Sequence, residues 1–242
     1  MSCHGSPLLL YSRLVNIPDY WLPRPEVELS DEVRLELSHF YTERVADGRG
    51  EWLNAPLPVP KWAFLNWLAD EKGLLMHGTG DPNIRVFEPR TPFDNSPDDF
   101  SKQTAVFAAG DGIWAIFYAV IDRINFRLRM LNGALQFGTH EGWTRMHYFF
   151  SVTQEVLKRC PWREGTVYVL PPKGFVRQPP YVLGKHGRIF EPHYANPNPV
   201  QPLIKLHVMP EDFPLLAQVR GHNNDEVMAN AAREPYGFPW LE

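Results

Sequence analysis

The sequence predicts an α+β domain. Strand-like patterns fill the middle of the chain and helical patterns collect toward both ends, without the regular strand–helix alternation of a parallel sheet. A hydrophobic share of 44% supports a packed core, and a charged share of 21% argues against disorder. We expect residues 1–72 to form an irregular segment and helices that pack on the core. Residues 73–242 would form the main domain with a C-terminal helical extension.

Composition and charge exclude several classes of protein. The chain has 24 Lys and Arg against 28 Asp and Glu, a formal charge of -4, so we expect no broad nucleic-acid-binding surface, although a local basic patch can bind a phosphate. Cys3 and Cys160 are too few for a disulfide framework or a cysteine zinc site. No run approaches the roughly 18 apolar residues of a membrane span, and the first residues lack the pattern of a signal peptide. We therefore expect a cytoplasmic protein without a membrane partner.

The first third of the chain predicts two helices. Four prolines make residues 1–29 irregular. Ser30 is a suitable N-cap for an amphipathic helix that Gly48 would end. A second apolar helix follows Pro60 and would end at Gly73.

Two short islands follow, separated by a loop rich in Pro and Asp. The first, at residues 74–80, reads LLMHGTG and predicts a strand that stops at a histidine and glycines. The second predicts a strand at 105–109, a Gly-Asp-Gly break and a buried helix from 112 to 123. Long loops in compact domains are often functional, so the loop between the islands is expected to lie near a site.

The rest of the chain predicts further strands and two short helices. Asn132-Gly133 within 124–138 predicts the turn of a hairpin. Residues 146–153 fit either a strand or the start of a helix. Further predicted elements are strands at 165–171 and 202–210, short helices at 211–219 and 223–234, and an aromatic tail at 236–242 that docks on the domain.

The histidine of the first island is a candidate ligand-binding residue. A lone histidine at a strand end is more often structural, but the residues after His77 favour a site. Gly78 leaves its backbone polar groups open to close approach by a ligand, Thr79 adds a hydroxyl, and Gly80 permits a sharp exit. The arrangement is typical of a small-molecule pocket.

The two islands together resemble the NAD-binding core of the ADP-ribosyltransferases. The match is to the group whose first motif is a histidine, which includes diphtheria-toxin-like, poly-ADP-ribosylating and small rifampin-modifying enzymes. Strand-HGT, a proline-rich loop, strand-VFAA and a helix carrying AIFYA occur here in that family's order. The resemblance covers residues 74–208, weakens after 125, and implies a split-sheet core with NAD as the substrate.

The resemblance also implies roles for individual residues. His77 would hydrogen-bond a ribose hydroxyl of NAD, and the Gly78 backbone would take the nicotinamide carboxamide. Phe107 or Tyr118 would stack on the nicotinamide ring. The full set of implied NAD-binding residues is His77, Gly78, Thr79, Phe107, Ala108 and Tyr118.

The sequence allows two interpretations of the catalytic carboxylate. Active relatives place a Glu on a late strand, where it binds the ribose and stabilises developing positive charge. This sequence has EPHY there, so either Glu191 acts with His77 from a shifted register, or the carboxylate has been replaced at His193.

These observations predict NAD-dependent ADP-ribosyl transfer to an unknown acceptor (a protein, a nucleic acid or a small molecule) or NAD hydrolysis. One alternative is an inactive module that binds NAD or ADP-ribose or another partner. Another is an RNA 2′-phosphotransferase-like enzyme. We expect no metal site, because His140-Glu141 does not extend to a zinc-binding HExxH motif.

Overall fold

The computed structural model describes residues 17–92 and 98–241. These ranges contain five α-helices and fourteen β-strands. The helices are α1 (Asp31–Arg44), α2 (Lys61–Lys72), α3 (Gly112–Val120), α4 (Gln154–Leu157) and α5 (Asn224–Arg233). The strands are β1 (Leu22–Pro23), β2 (Glu51–Trp52), β3 (Leu75–Thr79), β4 (Val106–Ala109), β5 (Met130–Thr139), β6 (Gly142–Trp143), β7 (His147–Thr153), β8 (Gly165–Leu170), β9 (Val176–Arg177), β10 (Tyr181–Val182), β11 (Arg188–Phe190), β12 (His193–Asn196), β13 (Ile204–Val208) and β14 (Arg220–His222).

The strands form two sheets, which confirms the α+β class. The first sheet has the order β1-β7-β5-β11-β10, with β14 beside β7 and β6 beside β5. The second has the order β2-β13-β8-β3-β4-β12-β9, and its central strands carry the sequence islands. Among the strands of the described ranges, β13–β2 and β14–β7 are the parallel pairs. Every other strand pair is antiparallel, as expected without regular strand–helix alternation.

The largest apolar cluster surrounds α3. Eight of its nine residues are buried, because α2 and strands of both sheets contact it. Residues of α1 and α2, among them Leu37 and Phe64, belong to the same cluster. Residues 31–72 are therefore part of the packing around α3.

The predicted N-terminal helices are confirmed. The Ser30 hydroxyl accepts a hydrogen bond from the N–H of Val33, and α1 ends at Arg44, before the predicted stop. Gly73 ends α2 in the left-handed region at φ 65°, where a residue without a side chain is favoured. Of the irregular segment, only residues from 17 onward lie in the described part of the chain.

The hairpin predicted at Asn132-Gly133 is wrong. Both residues lie inside β5, paired with Phe150 and Phe149 of β7. Cross-strand pairing overrides the local turn signal, as tertiary contacts often do. The chain reverses instead at residues 140–141, before β6 pairs back onto β5.

The C-terminal third agrees with the sequence in most elements. Residues 146–153 are a strand, and the strands predicted at 165–171 and 202–210 are β8 and β13. The helix predicted at 211–219 is two short 3-10 turns, whereas α5 confirms the last helix. Phe238 of the tail packs against Trp21 with ring centroids 6.0 Å apart, so the tail docks. No helix within the described ranges has the length and apolarity needed to cross a bilayer.

Candidate functional site

Strands β3 and β4 separate at the predicted histidine. β3 pairs with β8 along five residues, but its pairing with β4 consists of Met76 with Ala109. One residue later, Nδ1 of His77 lies 2.8 Å from the carbonyl oxygen of Phe107. The His77 side chain therefore bonds to Phe107 at the position where the next backbone hydrogen bond between β3 and β4 would form.

Gly78 directs its backbone polar groups toward this split. The N–H of Gly110 donates a hydrogen bond to the carbonyl of Pro192, on the side of β4 away from β3. Because backbone N–H and C=O groups alternate in direction along a strand, those of Ala109 and Phe107 point toward β3. Met76 therefore bonds in the direction of β4, and the same alternation along β3 turns the N–H and C=O of Gly78 that way. The split presents one donor and one acceptor side by side.

His77 is a neutral side chain held in one tautomer. Burial lowers its pKa, the bond to the Phe107 carbonyl opposes that shift, and the positive charges of Arg123 and Arg90 add to the lowering. Because a carbonyl oxygen only accepts, Nδ1 carries the proton and Nε2 keeps a lone pair. The ring also packs on Phe87 at 4.7 Å. The partly buried His77 can accept a hydrogen bond from a hydroxyl.

Two glycines let α3 lie directly on the sheet. A Cβ at Gly78 would collide with the carbonyl of Ala115, and one at Gly165 would collide with that of Ala119. The two alanines are four residues apart and so lie on one side of the helix. Tyr118 leaves the helix on a different side and is partly exposed, with the Arg123 guanidinium 5.7 Å from its ring. The AIFYA motif therefore combines a packing side with a projecting tyrosine.

An aromatic cluster surrounds His193 on the face of β4 from which Phe107 projects. The rings of His193 and Phe107 are stacked, 5.1 Å apart with an interplanar angle of 25°. Trp114 of α3 and Phe100 lie 5.8 and 5.4 Å from the imidazole. β12 pairs His193 with Ala109, where β3 and β4 are still joined, and the imidazole reaches along the sheet to Phe107 at the split.

His193 is uncharged at neutral pH. Burial lowers its pKa to about 4, against a weaker opposing effect of the Asp98 carboxylate. Its Nδ1 lies 2.9 Å from Oε1 of the buried Gln178, which accepts a hydrogen bond from Nδ1–H and leaves Nε2 with a lone pair. The His193 side chain itself therefore supplies no negative charge.

The remaining predicted residues occupy different surroundings. Thr79 is partly exposed, and its hydroxyl oxygen accepts a hydrogen bond of 3.2 Å from the N–H of Asp81. Ala108 is buried on the opposite face of β4 from Phe107, in the cluster of Phe87 and Tyr168. Glu191 precedes β12, is partly buried and lies two residues before His193.

A buried charge network fixes the start of α3, which the sequence analysis missed. Asp111 is fully buried and accepts hydrogen bonds from the Trp114 N–H, the Arg24 guanidinium and the Tyr148 hydroxyl. Burial opposes the charge on Arg24, but Asp111 and Asp70 raise its pKa overall. In the sequence, Asp111 follows a strand and lies between two glycines, a pattern that is more typical of an acid in a loop than of a buried one.

Two cavities lie outside the split. One, of about 220 Å³, is lined by Arg24, Gln136, Arg177 and Tyr194 among others, and the second lies beside α1 and β2. Neither includes His77, Gly78 or Tyr118. His193 instead occupies the space between Phe107 and Trp114. Within residues 17–92 and 98–241, no three His, Cys, Asp or Glu side chains are grouped to hold a metal.

Comparison with known proteins identifies no relative of this chain. No family model, curated protein or solved structure matches the chain significantly. The geometry of the split is therefore the observation that bears on function.

Proposed function

We propose that the split between β3 and β4 binds NAD, and that the chain is an NAD-binding domain of the ADP-ribosyltransferase type. The observation that carries the proposal is the bond from His77 to the Phe107 carbonyl across the split. The bond holds the imidazole beside the strand edge to which Gly78 turns its backbone. Two sequence islands 30 residues apart thereby form one site.

The chemistry of NAD fits the groups at the split. A carboxamide has one donor and one acceptor in a plane, which a single backbone residue such as Gly78 can match. The lone pair on Nε2 of His77 suits a ribose hydroxyl. The positive charges of Arg90 and Arg123 act on His77 and would favour a pyrophosphate nearby. Tyr118 offers a partly exposed ring for stacking, whereas His193 already covers Phe107.

Binding is better supported than transfer. Cleavage of the bond to nicotinamide develops positive charge on the ribose, and a fixed negative charge stabilises that transition state. The β12 side chain at the split is the neutral His193. We therefore favour a module that holds NAD or ADP-ribose and releases nicotinamide slowly.

Transfer or hydrolysis by Glu191 is the second candidate. Its partly buried position two residues before His193 is the observation that keeps it in consideration. Nicotinamide released from NAD by the purified protein and measured by mass spectrometry tests it. Sustained release that is lost in Glu191→Gln would favour transfer, and no release would favour binding alone.

Calorimetric titration of NAD tests the binding proposal. We expect His77→Ala to weaken NAD binding roughly 10-fold, because it removes a hydrogen bond to the ligand and the tie to Phe107. The matched control is His140→Ala, whose side chain is 66% exposed on the turn after β5. Equal affinity in wild type and His77→Ala, or no binding to either, would remove the proposal.

A further inference from the structure

The segment between Glu164 and Glu191 carries a local positive charge that the whole chain lacks. Residues 165–190 contain Lys173, Arg177, Lys185 and Arg188 and no Asp or Glu, which gives +4 in a chain of formal charge -4. The segment forms β9 at the edge of one sheet and β10 and β11 at the edge of the other. All four basic side chains are exposed.

Both arginines of this segment belong to a cluster that we call the arginine–aromatic ladder. The ladder consists of Arg188, Trp143, Phe190 and Arg177. The guanidinium carbon of Arg188 lies 5.3 Å from the Trp143 ring centroid. The rings of Trp143 and Phe190 are 6.1 Å apart, and the Arg177 guanidinium lies 4.6 Å from Phe190. Two neighbouring rings thus lie between two guanidinium groups, across the junction of the two sheets.

Strand register explains how the ladder is built. Gly138 of β5 pairs with Trp143 of β6, and the neighbouring Phe137 pairs with Ile189 of β11. A Cβ at Gly138 would lie 3.4 Å from both Trp143 and Arg188, so the missing side chain leaves room for the indole beside the arginine. Arg188 and Phe190 are two apart on β11 and share a face.

The ladder has the chemistry of a single-stranded nucleic acid site. A guanidinium stacked on a ring keeps its N–H groups at the edge, where they can donate to phosphate oxygens. Trp143 is 41% exposed, so a base can stack on it. Arg177 and Phe190 also line the cavity of about 220 Å³, together with Gln136.

We propose that the arginine–aromatic ladder binds single-stranded nucleic acid, with its phosphates on Arg177 and Arg188 and a base stacked on Trp143. Charge complementarity favours this partner, because residues 165–190 have no acid to repel a polyanion. The exposed Trp143 ring favours unpaired bases over a duplex, whose bases are already stacked. The surface is distinct from the NAD site and does not depend on it.

Fluorescence anisotropy with labelled 12-nucleotide oligo(U) and oligo(dT) tests this inference in 50 to 200 mM salt. We expect Trp143→Ala to weaken binding roughly 10-fold through lost stacking. In Arg177→Gln/Arg188→Gln, the slope of log affinity against log salt should become shallower by about 1.4, since each phosphate contact contributes about 0.7 with single strands.

Matched controls carry the same chemistry elsewhere. Trp52 is 38% exposed with Lys205 4.5 Å from its ring, and Arg159 stacks on Phe126 at 4.9 Å. Trp52→Ala and Arg159→Gln should bind like wild type. The proposal is overturned if wild type does not bind either oligonucleotide in 50 mM salt, or if Trp143→Ala binds equally well. Equal binding of a 12-base-pair duplex, of phosphatidylserine vesicles or of poly-glutamate would also overturn it.

Discussion

At the scale of single residues, the position of His193 bears on the transfer reaction considered for the split. The imidazole stacks on Phe107 and approaches Trp114, where the proposed reaction would need an acidic side chain. Its neutral state follows from burial and from Gln178 as the acceptor of its only proton. A substitution at this one position therefore tests whether charge alone limits catalysis.

We expect His193→Glu to increase nicotinamide release from NAD at least 10-fold over wild type. The new carboxylate would supply the negative charge that the transition state lacks. His193→Gln, which is neutral and of similar length, should show no increase. Release is measured by mass spectrometry after thermal melting has shown that both variants are folded. An unchanged rate in a folded His193→Glu protein would contradict the placement of the reacting ribose here.

The same histidine should make stability depend on pH. Its pKa is about 4 in the fold against about 6.5 in the unfolded chain, so the unfolded state binds more protons between these values. The stabilisation is complete above pH 6.5 and is lost as pH falls toward 4, by on the order of 3 kcal/mol. His77, His147 and His222 have lowered pKa values too and act in the same direction.

Urea unfolding at pH steps from 7.5 to 4 measures this dependence. His193→Gln should lose less free energy of unfolding on acidification than wild type, because it has no proton to gain there. His140→Gln replaces a side chain that is 66% exposed and should follow wild type. Parallel curves for wild type and His193→Gln would show that burial of His193 does not cause the acid sensitivity.

At the scale of elements, the contact between α3 and the second sheet tolerates no side chain at two glycines. We expect Gly78→Ala and Gly165→Ala each to cost about 1–3 kcal/mol, because a methyl group would push against the α3 backbone. Gly133→Ala is the control: its Cβ would lie 3.5 Å or more from Trp21 and Phe238. Equilibrium unfolding compares them, and a Gly78→Ala protein as stable as Gly133→Ala would contradict the close packing.

The elements that sequence could predict are those whose signals are local. Ser30 capping, the glycine stop at Gly73 and the apolar run of α3 depend on neighbouring residues and were read correctly. Asn132-Gly133 was misread because pairing with β7 is a long-range contact that leaves no mark on the dipeptide. The helix predicted to residue 123 ends at Val120, since the Asp122 carboxylate binds the N–H of Ile124 and Asn125 instead.

The candidate site was predictable only in part. His77, Phe107 and Tyr118 were identified from motifs, but the bond between the first two joins residues 30 apart and required the fold. Trp114 lies in the helix predicted to be buried, and its contact with His193 leaves no mark on the sequence. The spacing of Ala115 and Ala119 was a visible signal for close packing on the strand glycines. Gln178 gives no signal of this kind, because a glutamine before two prolines is typical of a loop.

At the scale of the whole molecule, Arg24 ties the N-terminal segment to α2, α3 and the first sheet. Its guanidinium contacts Asp70 and Asp111 at 2.7 Å each and the Tyr148 hydroxyl at 3.1 Å. We expect Arg24→Met to cost about 3–5 kcal/mol, since it leaves the fully buried Asp111 without its cation.

Arg145→Met is the control for this substitution, because Arg145 pairs with Glu26 at the surface, where an ion pair contributes about 0–1 kcal/mol. Urea unfolding of both variants at pH 7 provides the comparison. Similar losses in the two variants would mean that the Arg24 network behaves like a surface pair. A double variant with Asp111→Asn should recover part of the loss, because the unpaired charge is then gone.

The strand order of the second sheet governs when the split proposed to bind NAD can assemble. β3 pairs with β8, β4 with β12 and β2 with β13, so Leu75 must find Leu170 and Glu51 must find Ile204. Closing such long loops costs entropy before any contact offsets it, and this topology is typical of folding in milliseconds to seconds. During synthesis β3 would wait with an unpaired edge until residue 170 has emerged, and β4 until residue 196 has emerged. A ribosome stalled in this interval would present an aggregation-prone chain, so the cell's chaperones are expected to hold it longest there.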